Sequence, residues 1–240
     1  MYQLNYVRSI YLQINLLSQL SGALEAEGIA VVIDVFRCFT TQAIAFQNGA
    51  SEIILVAEIE EAKKMKNEGL GDVLLGEVGG KKPEGFDFGN SPTDILNENF
   101  SGKKLIHSTR AGTVGATSVK NADVIYGGSF AVASATVASI LRHNPNIVSL
   151  VSMGLEGKIR TDEDEQCALY LRNLLQGRLP DQNAVRSLIL VSEESEKYDN
   201  DDLPQWPKSD REIALNFDSH EFAIRIFNEN GMVVSRPEYI

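Results

Sequence analysis

A run of apolar residues at positions 29–35, with the sequence IAVVIDV and a single acid, limits most strongly how this chain can fold. A strand that is apolar on both faces must be covered on both faces, which is typical of parallel sheets flanked by helices. Asp34 interrupts this run near its end. A carboxylate there is unfavourable unless it is paired or solvated, so we expect Asp34 to have a functional role, the alternative being an acid at a helix N-terminus.

Short apolar runs and amphipathic stretches alternate through most of the chain. The predicted strands are 29–35, 51–56, 72–75, 103–107, 124–126 and 147–151, and the predicted helices are 40–48, 58–68, 92–98, 111–119, 131–143 and 162–176. Such repeated strand–helix units predict an α/β fold of three layers, α/β/α, with a mostly parallel or mixed sheet. The polar, proline-containing residues 193–211 predict an exposed connection, which is followed by a predicted helix at 219–227 and a strand at 232–235.

Composition narrows the class of protein. The 240 residues are 43% hydrophobic and 23% charged, which is ordinary for a globular chain, and we treat them as one domain. A net charge of −11 repels the backbone of nucleic acids, so we expect no nucleic-acid partner. Cys38 and Cys167 form no disulfide framework and favour a cytoplasmic location. No apolar run is long enough for a membrane span, and residues 1–17 lack the continuous apolar segment of a signal peptide.

Candidate site residues follow the predicted strands, because ligands of parallel α/β sheets bind outside the carboxyl ends of the strands. The loop at 76–92 is long and glycine-rich, which favours a functional role. The candidates, in chain order, are Asp34 and Arg37; Glu77, Lys81, Asn90 and Ser91; Ser108, Thr109, Arg110, Gly112 and Thr113; Gly128 and Ser129; and Glu163 and Asp164.

These residue types predict a site for a cation and an anion. Asp34 and Glu77, with Glu163 or Asp164, could hold a hard divalent cation through oxygen ligands. Arginines and one of two lysines could neutralise a phosphoryl group, the candidates being Arg37, Arg110, Lys81 and Lys82. Hydroxyls and backbone N–H groups where helices begin could bind anion oxygens. A metal ion beside an anion clamp is typical of metal-assisted phosphoryl transfer.

Each candidate also has a purely structural interpretation. The arginines could be ion-pair partners, the lysines solvated, the serines helix caps, and the acids at 162–165 partners of a helix dipole. Two familiar phosphate motifs are absent, since the chain has no GxxxxGK[ST] and Phe36 stands where haloacid-dehalogenase-type enzymes have a second acid. No dinucleotide-binding GxGxxG follows a strand.

Taken together and in order, six segments resemble the 2-phosphosulfolactate phosphatase (ComB) family. They are VVIDVFR with TT at 31–41, GE-GG-K at 76–81, GFDFGNSP at 85–92, STRAGT-GA at 108–116, GGSF at 127–130 and EDEQCA at 163–168. The resemblance implies one ComB-like domain over 1–240, matched best at 30–170. It also implies a Mg²⁺-dependent phosphatase that acts on a small acidic ester, typically 2-phosphosulfolactate, and releases 3-sulfolactate. Two positions depart from the family pattern: Cys38 replaces an alanine, and Val78 replaces a second basic residue.

The leading hypothesis is therefore Mg²⁺-dependent hydrolysis of a phosphate monoester, with Asp34, Arg37, Glu77 and Arg110 as catalytic residues. Water is the preferred nucleophile, and a covalent intermediate stays open. One alternative is a protein that binds an anionic ligand without turnover. Another is a structural subunit in which the acids only cap helices and form ion pairs. Whether the chain forms a homo-oligomer is left open.

Overall fold

The computed structural model describes residues 12–240, which form one sheet of nine strands with helices against both faces. Most of the stretch assessed for a signal peptide lies outside the described residues. The strands are β1 Gln13–Ser18, β2 Glu27–Ile33, β3 Glu52–Val56, β4 Val73–Gly76, β5 Lys104–Ser108, β6 Asn121–Gly128, β7 Ile147–Ser152, β8 Phe222–Glu229 and β9 Met232–Tyr239. The helices are α1 Gln19–Glu25, α2 Cys38–Gln47, α3 Ile59–Asn67, α4 Pro92–Ile95, α5 Gly112–Ser118, α6 Ala133–Arg142, α7 Asp162–Leu175, α8 Gln182–Leu190, α9 Glu193–Glu196 and α10 Lys208–Ala214.

The sheet is mixed, with the strand order β1-β7-β2-β6-β8-β9-β3-β5-β4. Its two outer parts are parallel, and the β8–β9 hairpin joins them through antiparallel pairs with β6 and β3. Three antiparallel steps separate β6 from β3, yet residues that follow β2, β4 and β5 line the same cleft. Loops from both parallel parts of the sheet thus contribute to one cleft, although the strands of the two parts run in opposite directions on either side of the hairpin.

Alternate residues of β2 face opposite layers of helices, as its apolar sequence predicts. Ala30 and Val32 belong to the apolar cluster that contains α2 and part of α5, whereas Ile29, Val31 and Ile33 pack with α6 and α7. A third cluster packs α3 against β3, β4 and β5. Helix α2 is buried over nearly its whole length. The predicted three-layer α/β/α fold is confirmed.

Two predictions for the C-terminal part are wrong. Within the helix predicted at 219–227, residues 222–227 belong instead to strand β8, because the side chains of Phe222, Ile224 and Ile226, at every second position, pack into the core. Residues 193–211 are not merely an exposed connection: they contain α9, a 3₁₀ helix and the start of α10. The side chains of Tyr198 and Asp210 in this segment are buried. We call residues 193–214 the cover segment.

None of the helices within residues 12–240 is both long enough and apolar enough to cross a membrane.

Candidate active site

One cleft collects residues that follow β2, β4, β5 and β7, together with part of the cover segment. Its volume is about 560 Å³, including space that is open to solvent. Of the residues predicted to hold metal or act in catalysis, all six line it. They are Asp34, Arg37, Glu77, Arg110, Glu163 and Asp164.

Asp34 follows β2 directly, and its side chain is 6% exposed. Its Oδ1 accepts a hydrogen bond of 3.0 Å from the N–H of Cys38 at the start of α2. A Cβ at Gly112 would lie 2.8 Å from Oδ2, so only glycine lets α5 begin this close. The pKa of Asp34 is raised to about 6, mainly by burial and also by the charge of Glu77, while the N–H groups of Cys38 and Gly112 oppose the increase.

Glu77, just after β4, joins two loops of the cleft. Its Oε1 accepts from the backbone N–H of Arg110 at 2.8 Å, and its Oε2 accepts from the N–H of Gly80 at 2.8 Å. Each carboxylate oxygen can accept more than one hydrogen bond or ligand, so both retain capacity on the side of the cleft. The Arg110 side chain is 41% exposed, and its only ion pair among residues 12–240 is a 3.9 Å contact with Glu58. Arg110 is thus available to bind an anion.

Two acids at the start of α7 line the cleft and differ in their hydrogen bonds. Asp164 joins the loops after β2 and β7, because Oδ1 accepts from the N–H of Val35 and Oδ2 from that of Gly154, both at 2.8 Å. Glu163 is 3% exposed, and its Oε2 has no hydrogen-bond partner in the described part of the chain. Burial raises the pKa of Glu163 to about 7. Burial, with repulsion from Glu163 and Asp34, holds the pKa of Asp164 well above its ordinary value.

Arg37 uses its guanidinium to hold the cover segment. Nη1 donates to Asp210 Oδ2 at 2.6 Å and to the carbonyl of Gln205 at 2.9 Å, and Nη2 donates to the carbonyl of Gly80 at 3.3 Å. The guanidinium carbon also lies 4.2 Å from the ring centroid of Trp206. Asp210 neutralises the charge of Arg37, and both of its Nη atoms already have hydrogen-bond partners within the protein. Arg37 is therefore placed to position the wall of the cleft and not to bind an anionic ligand by itself.

Lys197 and Trp206 of the cover segment line the cleft and were not among the predicted residues. The Lys197 Nζ lies 3.9 Å above the Trp206 ring and forms an ion pair with Glu194. Two cations, Lys197 and Arg37, therefore contact the Trp206 ring, which favours a fixed ring position. The basic–acidic pattern at 193–199 offered no sequence signal that distinguished Lys197 from a solvated charge.

The remaining predicted contacts differ in position. Asn90 lines the cleft and is 5% exposed. The others are not among the lining residues, and they are Lys81, Ser91, Ser108, Thr109, Gly112, Thr113, Gly128 and Ser129. Lys81 is exposed beyond the cleft. Gly128 ends β6, and its carbonyl accepts from the N–H of Asp34 at 3.2 Å, so it supports the site from behind.

Most of the predicted hydroxyls act within the protein. Thr109 and Thr113 bond to each other at the start of α5 through distances of 2.8–3.1 Å. Ser91 caps α4 and donates to Asp210 at 2.8 Å. The hydroxyls of Ser108 and Ser129 are buried without a hydrogen-bond partner from residues 12–240. These side chains shape the loops, whereas Asn90, Arg110 and Lys197 supply polar groups that a ligand can reach.

The charges that line the cleft are unbalanced toward acid. Six carboxylates (Asp34, Glu77, Glu156, Glu163, Asp164 and Glu194) face three cations (Arg37, Arg110 and Lys197). A phosphoester anion would be repelled by this lining unless protons or a bound cation offset the excess. In the part of the chain that the structure describes, however, no three Asp, Glu, His or Cys side chains are gathered into a complete metal site.

The carboxylates of the cleft fit Mg²⁺ better than metals whose ligands must all come from the protein. Mg²⁺ is commonly bound by one or two carboxylates and completes its shell with water and substrate phosphate. Asp34 and Glu77 come from separate loops, and each lines the cleft. Their negative charges are close enough for Glu77 to raise the pKa of Asp34. A cation between them would remove this repulsion, so these two residues fit as its ligands.

Comparison with known proteins agrees with the resemblance. The family model described as 2-phosphosulpholactate phosphatase matches residues 15–210. A protein of Caldicellulosiruptor saccharolyticus named probable 2-phosphosulfolactate phosphatase is 38% identical over 159 residues, which cover 65% of this chain and 65% of that protein. A relative of the same name from Thermotoga petrophila is 36% identical over 152 residues, which cover 63% of this chain and 65% of that protein. Another from Bacillus subtilis is 34% identical over 151 residues, which cover 62% of this chain and 64% of that protein. The matches thus cover just under two thirds of these relatives, whereas the family model covers most of the chain. The chain belongs to the 2-phosphosulpholactate phosphatase family.

Proposed function

We propose that this protein is a Mg²⁺-dependent phosphatase that hydrolyses a small acidic phosphate monoester, 2-phosphosulfolactate, to 3-sulfolactate and inorganic phosphate. The observation that carries this proposal is the convergence of Asp34, Glu77, Arg110 and Glu163 on one cleft from segments that follow four different strands. The substrate is the one in the names of the relatives. A cytoplasmic location is part of the proposal, supported by the free thiols of Cys38 and Cys167.

Asp34 and Glu77 would hold the metal. When bound, Mg²⁺ supplies positive charge that offsets the phosphate and the charge that develops during its transfer. Arg110 would contact the phosphate from the loop after β5, because its guanidinium is half-exposed and only weakly paired. Lys197 would approach from the cover segment and bind a second anionic group of the substrate, exchanging its partner Glu194 for the ligand. Two cations on separate walls suit a phosphoester that carries a further acidic group.

Glu163 is the best candidate for the general base. Glu163 lines the cleft, and a pKa of about 7 lets its carboxylate accept a proton near neutral pH. Glu163 takes a proton from the water that attacks phosphorus, a new P–O bond forms as the ester P–O bond breaks, and this proton then passes to the leaving alkoxide. One water is consumed and one alcohol and one phosphate are released. Burial of Glu163 is what keeps its proton affinity high enough for this step.

Phosphate release from 2-phosphosulfolactate, measured with Mg²⁺ and with EDTA, tests the proposal. We expect turnover only with the metal, and a decrease of about 100-fold or more in kcat for Glu163→Gln. The matched control is Glu193→Gln, an exposed acid outside the cleft, which should retain wild-type kcat. Tight phosphate binding with no turnover of any phosphomonoester would instead favour a binding protein on the same scaffold.

A further inference from the structure

A row of buried polar side chains leads from the sheet to the cleft behind Asn90. Ser235 on β9 donates from Oγ to Gln42 Oε1 at 2.8 Å. Gln42 Nε2 lies 3.2 Å from His107 Nδ1, and His107 Nε2 lies 3.1 Å from Asn90 Oδ1. Ser235, Gln42 and His107 have no exposed surface, and Asn90 is 5% exposed. The catalytic steps proposed above use none of the first three residues.

The orientations of the Gln42 and Asn90 amides give one consistent set of donors and acceptors along this row. Because the Ser235 hydroxyl donates to Gln42 Oε1, the amide nitrogen of Gln42 faces His107. His107 Nδ1 must then accept, so the imidazole proton is on Nε2. Nε2–H donates to Asn90 Oδ1, and this fixes which way the Asn90 amide is turned. The Nδ2 group of Asn90 is left without an acceptor from residues 12–240, at a residue that lines the cleft.

We propose that His107 is a positioning residue that turns the Asn90 amide so that Nδ2 donates to an oxygen of the phosphate bound in the cleft. The inference rests on the proposed function, since it deepens the role of the same site. Asn90 provides a neutral donor among six carboxylates. A donor with no charge is suited to this lining, because it binds an anion without needing a carboxylate partner when the ligand is absent.

Burial preserves this arrangement over the pH range in which the protein would work. It lowers the pKa of His107 to about 3, so the imidazole stays neutral. A protonated imidazole would donate from both nitrogens and oppose the Gln42 amide hydrogens. Gln42 also approaches Cys38 Sγ at 3.6 Å, which leaves its amide little freedom to turn. The row is therefore a fixed support and not a proton relay.

Binding of inorganic phosphate, measured by titration calorimetry in Mg²⁺, tests the role of Asn90. We expect the dissociation constant to rise about 10-fold or more for Asn90→Ala, as for loss of a hydrogen bond to a charged group. His107→Phe should raise it similarly, and the double variant should bind no more weakly than Asn90→Ala, because His107 acts through Asn90. His107→Gln, which can still donate to Oδ1, should recover much of the affinity. His220→Phe is the control, because the imidazole of His220 lies outside the cleft. This variant should bind phosphate as the wild type does.

A second measurement uses the wild-type protein, so it does not depend on whether a variant folds. Nitrogen-15 spectra of histidine-labelled wild-type protein should show His107 with its proton on Nε2 from pH 5 to pH 8. A proton on Nδ1, additive effects of Asn90→Ala and His107→Phe, or unchanged phosphate affinity in Asn90→Ala would each overturn the inference. Failure of the proposed function is distinguishable, because the wild-type protein itself would then neither bind phosphate nor hydrolyse the ester, and the role of Asn90 would be overturned with it.

Discussion

Arg37 and Asp210 form a fully buried ion pair, with Nη1 2.6 Å from Oδ2 and side chains that are 1% and 0% exposed. Asp210 also accepts from the hydroxyl of Ser91 at 2.8 Å and from the N–H of Thr93 at 3.0 Å. The pair joins the loop after β2 to α10, and Asp210 extends the connection to α4. The cover segment is therefore attached to the cleft by a charge interaction that water does not reach.

Removing one member of this pair should destabilise the protein strongly. Asp210→Asn keeps the size of the side chain but leaves the Arg37 charge buried without a counter-charge, which costs about 3–5 kcal/mol. We expect this loss in the free energy of unfolding measured with urea. Glu60→Gln breaks an exposed pair with Lys63 and should change it by less than about 1 kcal/mol. Equal effects of the two substitutions would contradict the importance of the buried pair.

Strand β2 shows what local sequence could predict about the fold. Its apolar run requires cover on both faces, and the structure supplies α2 on one side and α6 with α7 on the other. The β8–β9 hairpin was missed although its signal is present. Asn230 and Gly231 form the two-residue turn, with φ of 53° and 80°. An Asn-Gly pair between apolar stretches is a strong hairpin signal, and it outweighs the helical pattern assumed for 219–227.

For the site, residues that follow strands were predictable because the carboxyl ends of parallel strands share one edge. Glu77 and Arg110, which follow the parallel neighbours β4 and β5, illustrate this. Lys197 was not predictable, since its place depends on tertiary contacts of a segment that is polar in sequence. Nor could the sequence show that Arg37 is held by Asp210 whereas Arg110 is available to an anion. This difference depends on the partner of Arg37, which is 173 positions away in the chain.

The acid at position 34 should lower stability at high pH. Its pKa is about 6 in the folded protein, because of burial first and Glu77 next, against an ordinary value of 3.8. Between these values the folded state binds more protons than the unfolded state. The associated stability is complete below about pH 4 and is lost as the pH rises through 6. The difference corresponds to roughly 3 kcal/mol for a group this buried.

Asp34→Asn should therefore stabilise the metal-free protein at pH 8 by about 2–3 kcal/mol, and change its stability little at pH 4, while abolishing turnover. Urea unfolding in EDTA at both pH values measures this. Asp87→Asn provides a control of opposite sign. Burial raises the Asp87 pKa, but the Leu74 N–H and Lys66 lower it more, so its removal should destabilise at pH 8. Destabilisation by Asp34→Asn at pH 8 would refute the predicted sign.

Lys197 should affect substrate affinity more than the chemical step. Lys197→Ala removes the cation proposed to bind the second anionic group, so we expect KM for 2-phosphosulfolactate to rise about 10-fold with a smaller change in kcat. Lys208→Ala is the matched control, because Lys208 is in the same segment and pairs with Asp199 only at 3.9 Å on the surface. Steady-state kinetics of both variants separate a local contact from a general loss of positive charge.

Gly80 should be the position where one methyl group disturbs the cleft wall most directly. Its φ is +78°, and a Cβ there would lie 2.2 Å from the Trp206 ring. Gly80→Ala therefore combines backbone strain with a clash that moves Trp206 away from Arg37 and Lys197. Gly69 has a φ of +75° and no atom within 4 Å of an added Cβ, so Gly69→Ala isolates the strain, about 1 kcal/mol. We expect Gly80→Ala to lose clearly more stability than Gly69→Ala and to change tryptophan fluorescence. Gly80→Ala should also lower kcat/KM, whereas Gly69→Ala should keep wild-type kinetics. Equal stability losses with unchanged fluorescence would mean that the ring does not pack against Gly80 in solution.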